Sequence, residues 1–427
     1  MLRTPLPDPI VWKSELLFRG VKYTPELSEA VAEGAAPGYW PYRKVETGGS
    51  GKFLPVPYLF QLGKAVARVR VHDAGAFEVR RDGSGFALWD GGRQLCAVEF
   101  VRAHSWQSFR TTDGASYMDA GVEQLGDMLV VNLTPGCEYF LTKSGCSFCG
   151  YGRFSPRTQA LGQIPGVVRP AAKALDRFKE VMTYAAGTGE ARHVYIVGGS
   201  ALSVEDEAER FLPVIEIARK CVGDRLRVTA GSGAVDLAGS RRYRDAGADS
   251  CCYNLETWDA ATFEAACPGK AKYIGRDRWI QGLVDAVEVF GHGNVASAFV
   301  AGLEMRPPAP GMSEDAMLAS IREGAEFLLS RGIMPLYSPL WPVEGTVYGP
   351  KDGISSELYL QLEAEVYQLR AAHRFPVPGW LICPGCSYML LEVDFDVAFG
   401  LAPGSGLQPE SGPGSNHAAL SHAIHRN

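Results

Sequence analysis

The sequence predicts an α/β protein organised on a parallel sheet, and three observations lead there. From about residue 126 onward, short apolar runs alternate with longer stretches of helical period, which is the pattern of strand–helix–strand units. The alternation repeats six times; with right-handed crossovers, six such units make a doubly wound sheet or a partial barrel. Hydrophobic residues make up 46% of the 427 residues and charged residues 21%, a balance that supplies a real core. That length accommodates two or three domains, or one barrel-sized domain with additions.

Residues 1 to about 60 are rich in proline, glycine and aromatics and weakly periodic. A short helix is expected over Pro25–Glu33, and otherwise an arm packed on something else. From Ala65 the side chains alternate, and runs at Phe77–Arg80, Phe86–Trp89 and Leu95–Val101 are separated by Asp82-Gly83 and Asp90-Gly91-Gly92. A small antiparallel sheet is therefore expected here. His72 and His104 fall in this region and read as structural. The expected strands of the main domain are Met128–Leu133, His193–Val197, Leu226–Ala230, Ser250–Leu255, Asn294–Ala301 and Ile333–Ser338. The expected helices are Ala171–Ala186, Val204–Lys220, Asp236–Ala246, Arg276–Phe290, Glu314–Ser330 and Ser355–Ala372. Four segments follow: an arm and small β region over 1–125, the strand–helix domain over 126–345, a helix and cap over 346–402, and a tail over 403–427. The tail's Gly-, Pro- and Ser-rich composition has little to bury, so it is expected to be mobile.

Ligands of both parallel architectures gather at the carboxyl ends of the strands. Directly after the first strand comes Thr134–Tyr151, TPGCEYFLTKSGCSFCGY, with Cys137, Cys146 and Cys149 spaced C-x8-C-x2-C. Thiolates this dense are soft ligands suited to zinc, copper(I) or an iron–sulfur cluster. Gly136, Gly145 and Gly150 let the backbone curl around whatever they hold. No histidine lies inside the loop. A structural zinc thus lacks a local fourth ligand, and a closed iron–sulfur cluster lacks its fourth thiolate. The fourth ligand comes from far away, or one coordination position is open, or the cysteines are simply buried.

With Phe148 one residue before the last cysteine, the loop resembles the cluster loop of the radical S-adenosylmethionine (radical SAM) superfamily. Its Gly-Cys-x-x-Cys-Gly-Tyr ending is similar to that of Elongator-like members, and its first gap is wider than the commonest one. The resemblance implies a partial (β/α)6 barrel, with a small N-terminal antiparallel β region and a C-terminal cap around it. It implies that Cys137, Cys146 and Cys149 hold three irons of a 4Fe–4S cluster, that SAM chelates the fourth, and that Phe148 packs near the adenine. It further implies one-electron cleavage of SAM and hydrogen abstraction from a substrate by the 5′-deoxyadenosyl radical. An electron donor of flavodoxin or ferredoxin type is implied as a partner.

Other pieces fall on the same face. Gly198-Gly199-Ser200-Ala201 follows the second strand, where adjacent glycines make a tight turn or admit a polar ligand to the backbone. The superfamily's Gly-Gly-Glu-like motif implies contact with the SAM amino group, here from main-chain carbonyls because Ser200 replaces glutamate. Along the fourth strand, Cys252, Asn254 and Glu256 are expected on one face and Cys251 on the other. Asn254 and Glu256 suit ribose hydroxyls, or Glu256-Thr257 caps a helix. The run resembles the Asn-Leu-Asp-Thr of biotin synthase, which implies the ribose role. Gly302-Leu-Glu304 loosely resembles the superfamily's Gly-x-x-Glu segment, implying that Gly302 and Glu304 lie beside the adenine. Cys267-Pro-Gly-Lys270 and Gly275-Arg-Asp-Arg-Trp279 add to the resemblance, which covers roughly residues 126 to 345. Tyr337 and Trp341 are candidate walls of a substrate pocket.

The formal net charge of −6 disfavours a nucleic-acid footprint. No apolar run reaches the ~18 residues of a spanning helix, and MLRTPLPDPIVWKSELL lacks the h-region of a secretory signal. Ten cysteines, several in tight pairs, fit metal ligation in a reducing cytoplasm better than disulfides. The expected activity is a radical SAM reaction on a small molecule in cofactor or natural-product biosynthesis. Two other readings are an RNA-modifying enzyme, and a non-enzymatic metal-binding or scaffold protein in which Cys383 and Cys386 join Cys146 and Cys149 around zinc. Cys383 and Cys386 also read as part of an auxiliary cluster or as a reactive pair.

Overall fold

The computed structural model describes residues 8–34, 56–57, 59–134, 136–149, 170–341, 346–348, 353–376 and 378–403. Gly150, Tyr151, residues 1–7 and 35–55 of the opening arm, and the tail from 404 lie outside them. The chain forms two compact units. One comprises Met1–Ala103, Ile354–Arg374 and Leu381–Asn427, the other His104–Gly353 and Phe375–Trp380.

In chain order the first elements are α1 (Asp8–Arg19), α2 (Pro25–Ala32), β1 (Leu59–Leu62), β2 (Ala65–Arg68), β3 (Phe77–Asp82), β4 (Gly85–Asp90) and β5 (Arg93–Phe100). There follow β6 (Val122–Leu125), β7 (Met128–Thr134), α3 (Glu138–Leu141), α4 (Ala172–Gly187), β8 (His193–Gly198), α5 (Val204–Val222), β9 (Arg227–Gly231) and α6 (Leu237–Asp245). Next come β10 (Ser250–Cys252), α7 (Ala260–Ala266), α8 (Pro268–Tyr273), α9 (Arg276–Phe290), β11 (Val295–Ala301), α10 (Glu314–Ser330) and β12 (Ile333–Pro339). The last helices are α11 (Ser356–Ala372) and α12 (Glu392–Ala398).

The first unit carries an antiparallel sheet in the order β2-β1-β5-β4-β3, where alternation and turn residues anticipate one. Its core is built on Phe60, Val79, Leu88 and Leu16. Helix α1 falls in the opening residues, where the sequence reads as an arm packed on something else. Lys13 and Ser14 occupy the stripe between Ile10 and Leu17 and are fully buried, so the apolar period is interrupted at its centre. Tertiary partners absorb both: Lys13 Nζ donates to Asp394 Oδ2 at 2.7 Å and to two carbonyls, and Ser14 Oγ donates to the Ser356 carbonyl at 3.0 Å. Paired in this way, a buried ammonium is tolerated.

The second unit carries a seven-stranded sheet in the order β12-β11-β10-β9-β8-β7-β6. Strands β7 to β12 are parallel, and β6 is an antiparallel addition at the edge. Each parallel strand pairs with its neighbour in sequence, so the strand order never reverses. A doubly wound sheet has such a reversal at its switch point; consecutive order selects the six-unit partial barrel, left open.

Helix starts follow local chemistry. Ser203, Asp236, Asp259, Ser313 and Ser355 each accept a hydrogen bond from the backbone N–H three residues on, satisfying a donor the helix leaves free. Helices α9 and α10 have the expected limits; the short helices α7 and α8 are additions. Strand β10 ends at Cys252 instead of Leu255, and the reason lies in the site.

Candidate functional site at the carboxyl ends of the strands

The cysteine loop leaves β7 and turns at once into α3, with Cys137 at the helix N-cap position. Lys143, at φ 57°, sends the chain back, and Gly145 lies flush on the Phe140 ring, where a Cβ would sit 2.4 Å from it. The Cys149 amide then donates to the Cys146 carbonyl at 3.2 Å. Cys146 is buried; Cys137, Cys149 and Phe148 are half-buried. Burial pushes the Cys137 thiol up to about 11, against a hydrogen bond from the Ser200 backbone.

The turn after β8 closes on this loop. The Glu138 amide donates to the Ser200 carbonyl at 2.8 Å, and the Leu202 amide donates to Glu138 Oε2 at 3.0 Å. A Cβ on Gly199 would stand 2.5 Å from the Gly136 carbonyl oxygen and 2.6 Å from both Cα and Cβ of Cys137. Glycine is required there for contact with the first cysteine. The structure thus brings Gly198, Gly199 and Ser200 together with Cys137.

A charged pair on α5 sets these loops and was not singled out from the sequence. Glu207 accepts from the Ala201 amide and from the Gly233 amide, both at 2.6 Å, and Arg210 donates to the Gly136 carbonyl at 2.7 Å. Both side chains are buried, and the pair lies 4.0 Å apart. Burial raises the pKa of Glu207, opposed by Arg210 and the two amides. One helix face therefore fastens the turns that follow β7, β8 and β9. The available signal was a pair of charged residues at positions that continue the apolar period of Phe211, Val214 and Ala218.

On the opposite side, β10 is interrupted by one extra residue. The Tyr253 amide donates to Ala296 O at 3.0 Å, but the next ladder bond, to Ala298 O at 3.0 Å, comes from Glu256, while Leu255 N turns to Ser297 Oγ. Glu256 takes φ 76°, uncommon for a residue with a side chain and a mark of local strain. The shared face expected for Cys252, Asn254 and Glu256 rests on unbroken alternation, which this bulge ends. Cys252 and Asn254 do meet, Sγ to Oδ1 at 3.2 Å, and Asn254 Oδ1 also accepts from the Ala298 amide at 3.3 Å.

Lys270 completes this side. Its Nζ donates to the Asn254 carbonyl and to Glu256 Oε1, both at 2.6 Å, and lies 4.4 Å from the centre of the Trp279 ring. Burial acts to strip its proton, but Glu256 and the nearby thiols outweigh that and keep it charged. Cys267, three residues earlier, is fully buried, and the Ser147 amide donates to the carbonyl of its neighbour Ala266 at 2.8 Å. Burial raises the Cys267 thiol well above its usual value.

Beyond β11, Gly302 takes φ 92° and begins a short 3-10 turn holding Glu304. Thr257 donates to Glu304 Oε1 at 2.7 Å, while buried Oε2 has no partner among the described residues. Burial lifts this carboxyl to about 7, although the Thr257 hydroxyl pulls the other way. The folded chain therefore keeps a proton that the unfolded chain releases near pH ~4.3. Its contribution to stability is complete below that value, falls as pH rises, and is lost on passing about 7. Glu304→Gln should flatten this decline, a difference on the order of 2–3 kcal/mol between urea midpoints measured at mildly acidic and mildly basic pH.

No family model matches the chain. A curated relative, bacteriochlorophyllide c C-7(1)-hydroxylase of Chlorobaculum limnaeum, is 24% identical over 344 residues, covering 78% of this chain and 77% of the relative. Among solved structures, methylornithine synthase gives a TM-score of 0.43 at 16% identity, over 73% of this chain and 83% of that one. A radical SAM methyltransferase from Sphaerobacter thermophilus gives 0.41 at 14% identity, over 72% and 77%. The chain resembles radical SAM enzymes.

The residues present fit a radical SAM cofactor set. Three cysteines lie in one glycine-bearing loop without a histidine, a soft donor set suited to an iron–sulfur cluster. Gly199 supplies the close backbone approach beside it. Glu138 Oε1 and Glu304 Oε2 are buried acceptors without partners among the described residues, available to a bound polar group. Among the described residues, no helix is long and apolar enough to cross a membrane.

Proposed function

We propose that this chain is a radical SAM enzyme that acts on a small molecule in cofactor or natural-product biosynthesis. The observation that carries the reading is the packing of the Gly199 turn against Cys137 at the carboxyl ends of two adjacent parallel strands. Cys137, Cys146 and Cys149 would hold a 4Fe–4S cluster, leaving one iron for SAM. When bound, these cofactors supply a one-electron cleavage that yields a radical able to take hydrogen from a substrate.

The chain's own residues orient and shield that chemistry. The main-chain carbonyls of Ser200 and Gly198 would hold the SAM amino group. Asn254 and Glu256 would hold the ribose hydroxyls, with Lys270 fastening the Asn254 carbonyl and balancing the Glu256 charge. Gly302 and Glu304 would hold the base, and Phe148 would pack beside it. A flavodoxin- or ferredoxin-type protein delivers the electron. The curated relative is named as a hydroxylase of a bacteriochlorophyllide, which agrees with a small-molecule substrate.

Anaerobic reconstitution with iron and sulfide, followed by SAM and dithionite, should yield 5′-deoxyadenosine. Cys149→Ala should abolish both the cluster absorbance and that product. A wild-type chain that takes up zinc and leaves SAM intact would sink the reading.

A further inference from the structure

The two faces of the parallel sheet are filled differently. Tyr253 Oη meets Ser240 Oγ of α6 at 3.0 Å, and Tyr337 Oη donates to the Ile321 carbonyl of α10 at 3.4 Å. These tyrosines and the residues in step with them, Ile196, Ala230, Cys251 and Val295, therefore face the helices. All are buried. Tyr337, a candidate pocket wall in the sequence, is thus turned away from the barrel interior. The other face looks into that interior, and there Asn132, Val197, Gly231, Ala298, Val300 and Ser338 are only half-buried. A closed barrel fills its interior with layers of bulky side chains. Here the side chains are small, and space is left at the carboxyl ends of the strands. None of the six is charged. Tyr195, half-buried on the same face, stacks on Trp380 of the same unit, with ring centres 5.6 Å apart and planes at 12°. Gly231 makes room for the Tyr195 ring, since a Cβ there would stand 2.8 Å from it. Trp380 is buried, so the space ends on an aromatic floor.

We propose that this lumen receives an uncharged, planar conjugated ring of the substrate, laid over the Tyr195–Trp380 stack. The inference rests on the radical SAM reading above and names the class of substrate. An ionised group drawn into a lumen without a counter-charge gives up its hydration for nothing. Any carboxylate, phosphate or ammonium of the substrate therefore stays at the mouth. A flat ring suits the floor, because aromatic faces at an offset attract beyond the area they bury. Ligand pockets are mostly apolar with a few polar groups that fix orientation. Asn132 and Ser338, on opposite sides of the barrel opening, are those groups here.

The experiment titrates the full chain, reconstituted anaerobically, with pyrene and separately with pyrene tetrasulfonate, whose charges surround the ring and cannot all stay outside. Probe fluorescence reports binding. Neutral pyrene should bind saturably, and the tetrasulfonate should not. Ala298→Leu and Ser338→Leu, on neighbouring strands, each add volume to the lumen and should weaken pyrene binding at least ~5-fold with an unchanged thermal melt. Tyr184→Ser should leave it unchanged, although it removes the exposed aromatic surface that Tyr184 makes with Phe109. Pyrene affinity at the wild-type value in both lumen variants overturns the proposal. So does tetrasulfonate binding that either lumen variant weakens. A chain that yields 5′-deoxyadenosine yet binds no pyrene overturns this inference alone. One that binds pyrene in the lumen but forms no four-iron cluster sinks the radical SAM reading, and the lumen's role as a substrate site with it.

Discussion

Gly199→Ala is expected to leave the fold intact and cost the protein its iron. The new Cβ would fall 2.5–2.6 Å from three backbone-anchored atoms, the Gly136 carbonyl oxygen and Cα and Cβ of Cys137. None of these is the end of a flexible side chain, so Cys137 itself must move. The rest of the turn is held independently: Ser200 O accepts from Glu138, and Ala201 is anchored on Glu207. Displacing one ligand by a few tenths of an ångström spoils a set that must meet a rigid cluster. Iron affinity should fall at least ~10-fold, the scale seen when residues that orient ligands are changed. Iron analysis after reconstitution checks this, with the thermal melt of the apoprotein as the control for folding. Wild-type iron content in Gly199→Ala would remove the observation on which the proposed function rests.

The second large effect is on stability. Arg210→Met should destabilise the chain by about 3–5 kcal/mol, because it strands the buried Glu207 carboxylate without its cation. It also deprives the Gly136 carbonyl of the guanidinium donor. Removing both charges in Glu207→Gln/Arg210→Met should recover part of the loss, since the uncompensated charge is gone. Urea midpoints of the four proteins in that cycle measure the coupling. A single variant within ~0.5 kcal/mol of wild type would mean that water reaches the pair. Because Arg210 holds the residue before Cys137, the single variant should also take up less iron than wild type.

Much of the barrel was legible because its signals are local. Strands buried on both faces read as apolar runs; the Ser313 cap marks the start of α10, and Gly275 and Gly291 bound α9, so both helices were readable to the residue. The cysteine loop was legible for the same reason: its ligand spacing is contained in a single connection. What escaped was created by contacts between distant segments. Lys13 hides α1 because its partner, Asp394, lies 381 residues away. The bulge at Leu255 exists because Ser297 Oγ, on the next strand, captures an amide that periodicity assigns to the ladder. Glu207 and Arg210 look like surface charges until the turns they grip are in place. Lys270 was noticed as part of a motif, but the groups it holds come into view only with the fold.

The grip of α5 on three successive turns has a consequence for how such a scaffold can diversify. A substitution in the turn after β9 that displaces the Gly233 amide releases one arm of Glu207. The same carboxylate then rebalances between Ala201 and Arg210, and Arg210 carries the displacement to the residue preceding Cys137. Substrate-facing variation on β9 is thus mechanically linked to ligand placement after β7.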